Sequence, residues 1–137
     1  MGEQMLQREG RRGAMREAWV ISETGVVLSS GEDAVAVAVR ARDSGPREVL
    51  FESDLGRTLL FVTNGDRVMM VLMDEPGDPG EHVVDPDADG TSSGYVLSNG
   101  QVDEYADRDT VPWEAALRAL RCVVDDKSSP VTWRSDR

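Results

Sequence analysis

Residues able to do covalent chemistry are few in this chain. His82 is the single histidine and Cys122 the single thiol among 137 residues. The histidine lies in a run rich in Pro, Gly and Asp. The cysteine falls in a helical segment, roughly 180° around from that segment's apolar stripe at about 100° per residue. No spacing brings the two together, so a solvated imidazole and an inert thiol account for them more simply than a thiol–imidazole pair. Asp103 and Glu104 are adjacent carboxylates that could exchange a proton if a pocket raised one pKa, but neighbours along a strand point to opposite faces. No serine sits in a nucleophile elbow, and no glycine-rich loop with a following lysine is present to cradle a phosphate. Asp85-Pro86-Asp87-Ala88-Asp89-Gly90 matches the first six positions of an EF-hand calcium loop. The twelfth position should bring a bidentate Glu and is Val96, neither flank reads as a helix, and Pro86 stiffens a loop that has to wrap an ion. A solvated acidic turn is the simpler reading. The pattern predicts a protein without catalytic residues, metal or cofactor.

Charge is the stronger signal. The net charge is −11, and between Asp74 and Asp109 eleven acids (Asp74, Glu75, Asp78, Glu81, Asp85, Asp87, Asp89, Asp103, Glu104, Asp107, Asp109) face a single base, Arg108. Such a field repels nucleic acid, whose binding needs Lys and Arg to replace phosphate counterions. It attracts cationic partners and speeds their encounter at low ionic strength. Acidic loops that only maintain solubility would look the same in composition.

The elements that position these groups follow from pattern. The length suits one domain with a core of its own. Residues 1–16 lack periodicity and read as a mobile leader, with Met5 and Met15 as alternative starts; the domain is expected over residues 17–137. No apolar run reaches a membrane span, no secretory signal precedes the domain and one cysteine forms no internal disulfide, so a cytoplasmic address is expected. Ala18–Ser22 and Val26–Leu28 are short β-prone pieces broken at Gly25. Ser29 and Ser30 before Glu32 and Asp33 form a helix start, predicting a helix over Asp33–Asp43, although its Ala/Val alternation suits a strand as well. Glu48–Ser53, Arg57–Thr63 and Arg67–Met73 read as strands, with Asn64-Gly65 predicting a two-residue type I′ hairpin. The latter two strands are apolar on both faces, which requires something to cover each side of the sheet. Asp74–Ser93 reads as a loop of about 20 residues, long enough to be functional or partly disordered. Gly94–Ser98 and Gln101–Tyr105 pair around Asn99-Gly100, a second hairpin of the same kind. The last helix is capped by Asp109 or Thr110, carries Pro112 in its first turn and aligns Trp113, Ala116, Leu117, Leu120 and Val124 on one stripe. Val131-Thr132-Trp133 predicts a short strand or anchor. The sum is an α+β fold, a mostly antiparallel sheet of about five to six strands packed with two helices.

Asn99-Gly100-Gln101-Val102-Asp103-Glu104-Tyr105, then Val111-Pro112, then Ala115-Ala116-Leu117-Arg118-Ala119, then Pro130-Val131-Thr132-Trp133 resembles the Imm1 family of bacterial immunity proteins. The close match covers about Gly94 to Trp133, with a looser fit over Glu48 to Met73. One departure is Ala106, where the family commonly has Pro. The resemblance implies a non-enzymatic monomer that binds a cognate toxin one to one and blocks its active site. Toxins paired with the family include nucleic-acid-targeting enzymes such as deaminases. A toxin acting on DNA or RNA must present a cationic groove, which makes the acidic stretch a candidate mimic of its substrate. The residues expected to touch toxin are Asp74, Glu75, Asp78, Glu81, Asp85, Asp87, Asp89, Asp103, Glu104, Tyr105 and Trp133, the last equally able to serve as a packing anchor. No nucleic acid or membrane partner is expected. The rival reading is an acidic adaptor or regulatory domain for a cationic protein unrelated to toxins.

Overall fold

A computed structural model describes residues 17–44 and 47–137; the leader at residues 1–16 lies outside the described residues. In chain order the elements are β1 (Trp19–Ile21), β2 (Val27–Leu28), α1 (Gly31–Asp43), β3 (Glu48–Ser53), β4 (Thr58–Thr63), β5 (Arg67–Met73), β6 (Glu81–Val84), β7 (Thr91–Val96), β8 (Val102–Ala106), a 3-10 turn (Asp107–Asp109), β9 (Val111–Pro112), α2 (Trp113–Val124) and β10 (Thr132–Ser135). The fold is α+β. One antiparallel sheet runs β10-β6-β5-β4-β3-β1-β2, with β9 added beside β5, and β7 and β8 form a separate two-stranded ribbon. No helix among the described residues is long and apolar enough to cross a membrane.

Local sequence places most of these elements. Ser30 caps α1 by accepting from the Asp33 N–H, with Glu32 and Asp33 in the first turn, so the cap prevails over the Ala/Val alternation. Both expected hairpins form, but neither is a type I′ turn. Asn64 and Asn99 keep negative φ, leaving positive φ to the glycine that follows each. Each Asn side-chain oxygen instead accepts from the backbone N–H two residues on, Asp66 at 2.9 Å and Gln101 at 2.9 Å. This local bond competes with the left-handed conformation a type I′ turn requires. Pro112 lies in β9 and caps α2 without a side-chain bond, rather than sitting in the first turn. The first helical N–H is satisfied by the Asp66 carbonyl, Trp113 N to Asp66 O at 3.0 Å.

The segment 74–93 is not one long loop. It holds β6 and the start of β7. β6 is four residues long and is stabilised by β5 on one side and β10 on the other, partners distant in sequence that local pattern could not reveal.

Strand register divides the sheet into two faces. Val49, Phe51, Leu59, Phe61, Met70, Leu72 and Val83 point to one side, where they meet Ala34 and Ala38 of α1 and Trp113, Ala116, Leu120 and Val124 of α2. Phe61 meets Trp113 edge-on, with centroids 6.0 Å apart. Both helices cover this face. The other face is covered by the β7–β8 ribbon at one end only, where Val62 and Tyr95 are fully buried. There Asn64 Nδ2 donates to Ser93 O at 3.1 Å and Arg47 N to Val96 O at 2.9 Å. Leu50, Leu60, Met69, Val71 and Met73 on the same face stay half-buried. The expectation that each side is covered therefore fails for most of this face.

The helices touch closely at the start of α1. A Cβ at Gly31 would lie 2.6 Å from Arg121 Cγ and 2.7 Å from the Arg121 carbonyl oxygen. Gly31 N also donates to Asp125 Oδ1 at 2.8 Å. Gly31→Ala must push the helices apart, with an expected loss of about 1–3 kcal/mol in denaturant unfolding. At the start of the domain Arg57 forks onto Glu17, with Nη2 to Oε1 at 2.6 Å and Nε to Oε2 at 2.9 Å. Burial works to raise the Glu17 pKa, but hydrogen bonds from Arg57 and Ser53 and the Arg57 charge outweigh it and hold the carboxyl below its ordinary value. A depressed folded-state pKa gives stability that is present above the unfolded value and lost as pH falls through the folded one. Glu17→Gln should flatten the acid limb of a melting-temperature profile below about pH 4 while lowering stability at pH 7.

Candidate functional site

Arg67 organises the acidic half of the molecule. It opens β5 on the face away from the helices, and its side chain is only 19% exposed. Its Nη2 donates to Asp85 Oδ2 at 2.7 Å, to Asp107 O at 3.1 Å and to Thr110 O at 3.1 Å. Its Nε donates to Thr110 Oγ1 at 2.7 Å. Asp107 Oδ1 accepts from Ser92 Oγ at 2.6 Å, and the Asp107 N–H donates to Gly90 O at 3.0 Å. One guanidinium thus fastens the β6–β7 loop, the 3-10 turn and the approach to α2. Only a planar, five-donor group can serve so many acceptors at once.

Folding uses several of the expected contact residues. Asp85 is the ion-pair partner of Arg67, so it is neither a free surface carboxylate nor the first ligand of a calcium loop. Asp74, Asp78 and Glu81 converge on Arg137. Its Nη2 lies 3.1 Å from Asp74 Oδ2 and 2.8 Å from Asp78 Oδ2, and its Nη1 lies 3.7 Å from Glu81 Oε2. The Arg137 guanidinium holds the Asp78 carboxyl below its ordinary pKa. Asp103 accepts from the Tyr105 hydroxyl at 2.7 Å and from Gln101 Nε2 at 2.5 Å, bonds that lower its pKa. Burial first, and then Asp103, push the Tyr105 hydroxyl well above its ordinary value. Tyr105 is half-buried and packs on Tyr95, with centroids 4.7 Å apart.

Trp133 is a packing anchor. It pairs with Val83, joins the helix-side core and lines a small cavity with Leu72, Cys122 and Val123. Among the described residues, Glu75, Asp87, Asp89 and Glu104 are exposed and make no side-chain hydrogen bond or ion pair. Asp87 and Asp89 lie in the loop fastened by Arg67, and Glu104 lies on β8, opposite the register shift of β7.

His82 is not solvated as its loop-like context suggested. It lies in β6 with its side chain 14% exposed, Nδ1 2.7 Å from Asp136 Oδ2 and Nε2 3.1 Å from Asp109 Oδ1. Register puts His82 on the uncovered face and Cys122 beneath the opposite one, so the sheet separates them. A cavity of about 690 Å³ beside the end of α1 is lined by Ile21, Val37, Val49 and Leu50, with Glu23, Arg40 and Glu48 as its ionisable groups. It holds neither the histidine nor the thiol. Among the described residues no three His, Cys, Asp or Glu side chains group as a metal site.

Arg67 and the paired roles of Asp107, Asp109 and His82 were missed from sequence. The available signal was a lone arginine opening a strand otherwise apolar on both faces. Comparison with family models, curated proteins and solved structures finds no match to this chain.

Arg67→Ala should lower unfolding stability by about 2 kcal/mol, because Asp85, Thr110 and two carbonyls lose their donor while partly sheltered. Arg67→Lys should recover little, since a point charge cannot reach all four acceptors. Denaturant melts of the three proteins check both statements.

Proposed function

We propose that this chain is an immunity protein that binds a cognate bacterial toxin and blocks its active site or cationic substrate groove. The observation that carries the reading is the set of carboxylates left over by folding. Asp87, Asp89 and Glu104 are exposed and unpaired among the described residues, on backbone that the Arg67 network holds in place. Charged groups fixed on an ordered scaffold can meet a cationic groove without the ordering cost a floppy acidic tail would incur. They also steer encounter, which raises association rate more than it lowers dissociation rate.

The resemblance to Imm1 proteins supports the same conclusion. The residues that carry it, from Asn99 to Trp133, make up the end of the β7–β8 ribbon, β9, α2 and β10, a contiguous run that includes the proposed contact strand. Toxins that act on nucleic acid fit this charge best, because the groove that binds phosphates also binds fixed carboxylates. Deaminases are one such class.

The experiment is association with the protein encoded by the neighbouring gene, followed by stopped flow across ionic strength. Reversing Asp87, Asp89 and Glu104 to Lys together should slow association by about tenfold or more at low salt and flatten its salt dependence. The wild-type chain should also rescue growth when co-expressed with that toxin. An unchanged association rate in the triple variant would remove the acidic loop from the interface. A chain that fails to bind the neighbouring product, yet binds an unrelated cationic protein, would be an adaptor instead.

A further inference from the structure

The sheet face opposite the helices carries apolar side chains on five strands, continuous over Leu50, Leu60 and Val71 and interrupted elsewhere by Ser22, Glu52 and Thr58. Val27, Val20, Glu52, Thr58 and Met73 form one register row, and Ser22, Leu50, Leu60, Val71, His82 and Arg134 the next. Val27 is 65% exposed, and Val20, Leu50, Leu60, Val71 and Met73 are half-buried. Where the β7–β8 ribbon does cover the face, Val62 is fully buried. The contrast within one face shows what a covering layer does and where it stops. Single exposed apolar residues are ordinary on a surface; a contiguous patch spanning several strands marks a contact site.

Charge says what kind of partner fits. Glu48 and Glu52 border the patch on β3, and among the described residues no cation pairs with either. On the far side Arg134 and His82 are already engaged by Asp109 and Asp136. A second copy of the chain would bring a body with the same net −11 against this one. Like-charge juxtaposition of this sort costs association.

We propose that this face is the apolar centre of the surface on which a cationic protein partner docks. An apolar side chain of the partner sits over Leu50, Leu60 and Val71, and flanking Lys or Arg residues reach Glu48 and Glu52. The proposal rests on the toxin-binding reading and adds to it: the acidic loop steers the partner, and the sheet face holds it. Desolvated apolar centres ringed by polar contacts carry most of the energy in such interfaces.

Methionine oxidation tests this directly, because Met69 and Met73 belong to the uncovered face whereas Met70 is fully buried on the helix side. The full-length chain, free or bound to a catalytically inactivated form of the toxin encoded beside it, is treated with dilute peroxide and mapped by peptide mass. In the free chain Met69 and Met73 should become sulfoxides well before Met70, and in the complex both should be protected severalfold. Leu60→Lys should weaken the complex by about tenfold or more. Glu52→Gln, which leaves the apolar residues and the Ser98 N–H bond to Glu48 in place, should weaken it severalfold with an unchanged melting temperature. A complex that forms while Met69 and Met73 oxidise as in the free chain overturns the proposal and leaves the toxin-binding reading standing. Self-association at micromolar concentration that Leu60→Lys abolishes assigns the face to a second copy and overturns it too. Faster oxidation of Met69 and Met73 on deleting residues 1–16 assigns it to that segment, with the same consequence. No complex with the wild-type chain overturns the toxin-binding reading, and the docking proposal falls with it.

Discussion

One arginine ties the acidic loop after β6 and the 3-10 turn to the sheet. Eleven carboxylates lie between Asp74 and Asp109, and the ones nearest β5 need a cation to sit close together against the sheet. Arg67 supplies it from the first residue of β5, the strand that also pairs with β4, β6 and β9. Placing the guanidinium there ties the position of the β6–β7 loop and the 3-10 turn to the register of the sheet. That register is fixed in turn by the packing against the helices that buries Val68, Met70 and Leu72. Surface charge and core packing are therefore one problem in this molecule, joined at one side chain.

A division of labour among the acids follows. Asp85 and Asp107 hold the loop, Asp109 and Asp136 hold His82, and Asp74, Asp78 and Glu81 hold Arg137. Each is a local use of charge in which a carboxylate has its own cation or donor. Glu75, Asp87, Asp89 and Glu104 remain exposed and unpaired among the described residues, and the last three stand next to backbone that the other pairs have ordered. Net charge describes the long-range field, whereas only the geometry separates carboxylates committed to folding from those free to meet another molecule.

What was legible in the sequence was local. The Ser30 cap, the apolar stripe of α2 and the strands 48–53, 58–63 and 67–73 follow from propensity and period over short windows, and the structure has them within a residue or two. β6 was hidden because Glu81-His82-Val83-Val84 is brief and becomes a strand only between β5 and β10. The turn chemistry was misread for a related reason. Asn-Gly favours a type I′ turn in isolation, but here each Asn spends its side chain on a backbone N–H two residues ahead. The acidic candidates were legible as a set and illegible as individuals, since pairing with Arg67 or Arg137 depends on residues as much as 63 positions away. Trp133 shows the same limit, because its burial depends on a strand partner 50 residues earlier, Val83.

The fastening of the β6–β7 loop at Asp85 by Arg67 and at Gly90 by the Asp107 N–H bears on how such a chain can change over generations. Residues 86–89 lie between two anchored points, and their exposed members carry no part of the core. Substitutions there alter the outline and charge of the surface at little expense to folding, whereas a change at Arg67, Asp85 or Thr110 breaks a bond of the network. The chain thus has a narrow stretch on which its surface can vary, set in a frame that need not move.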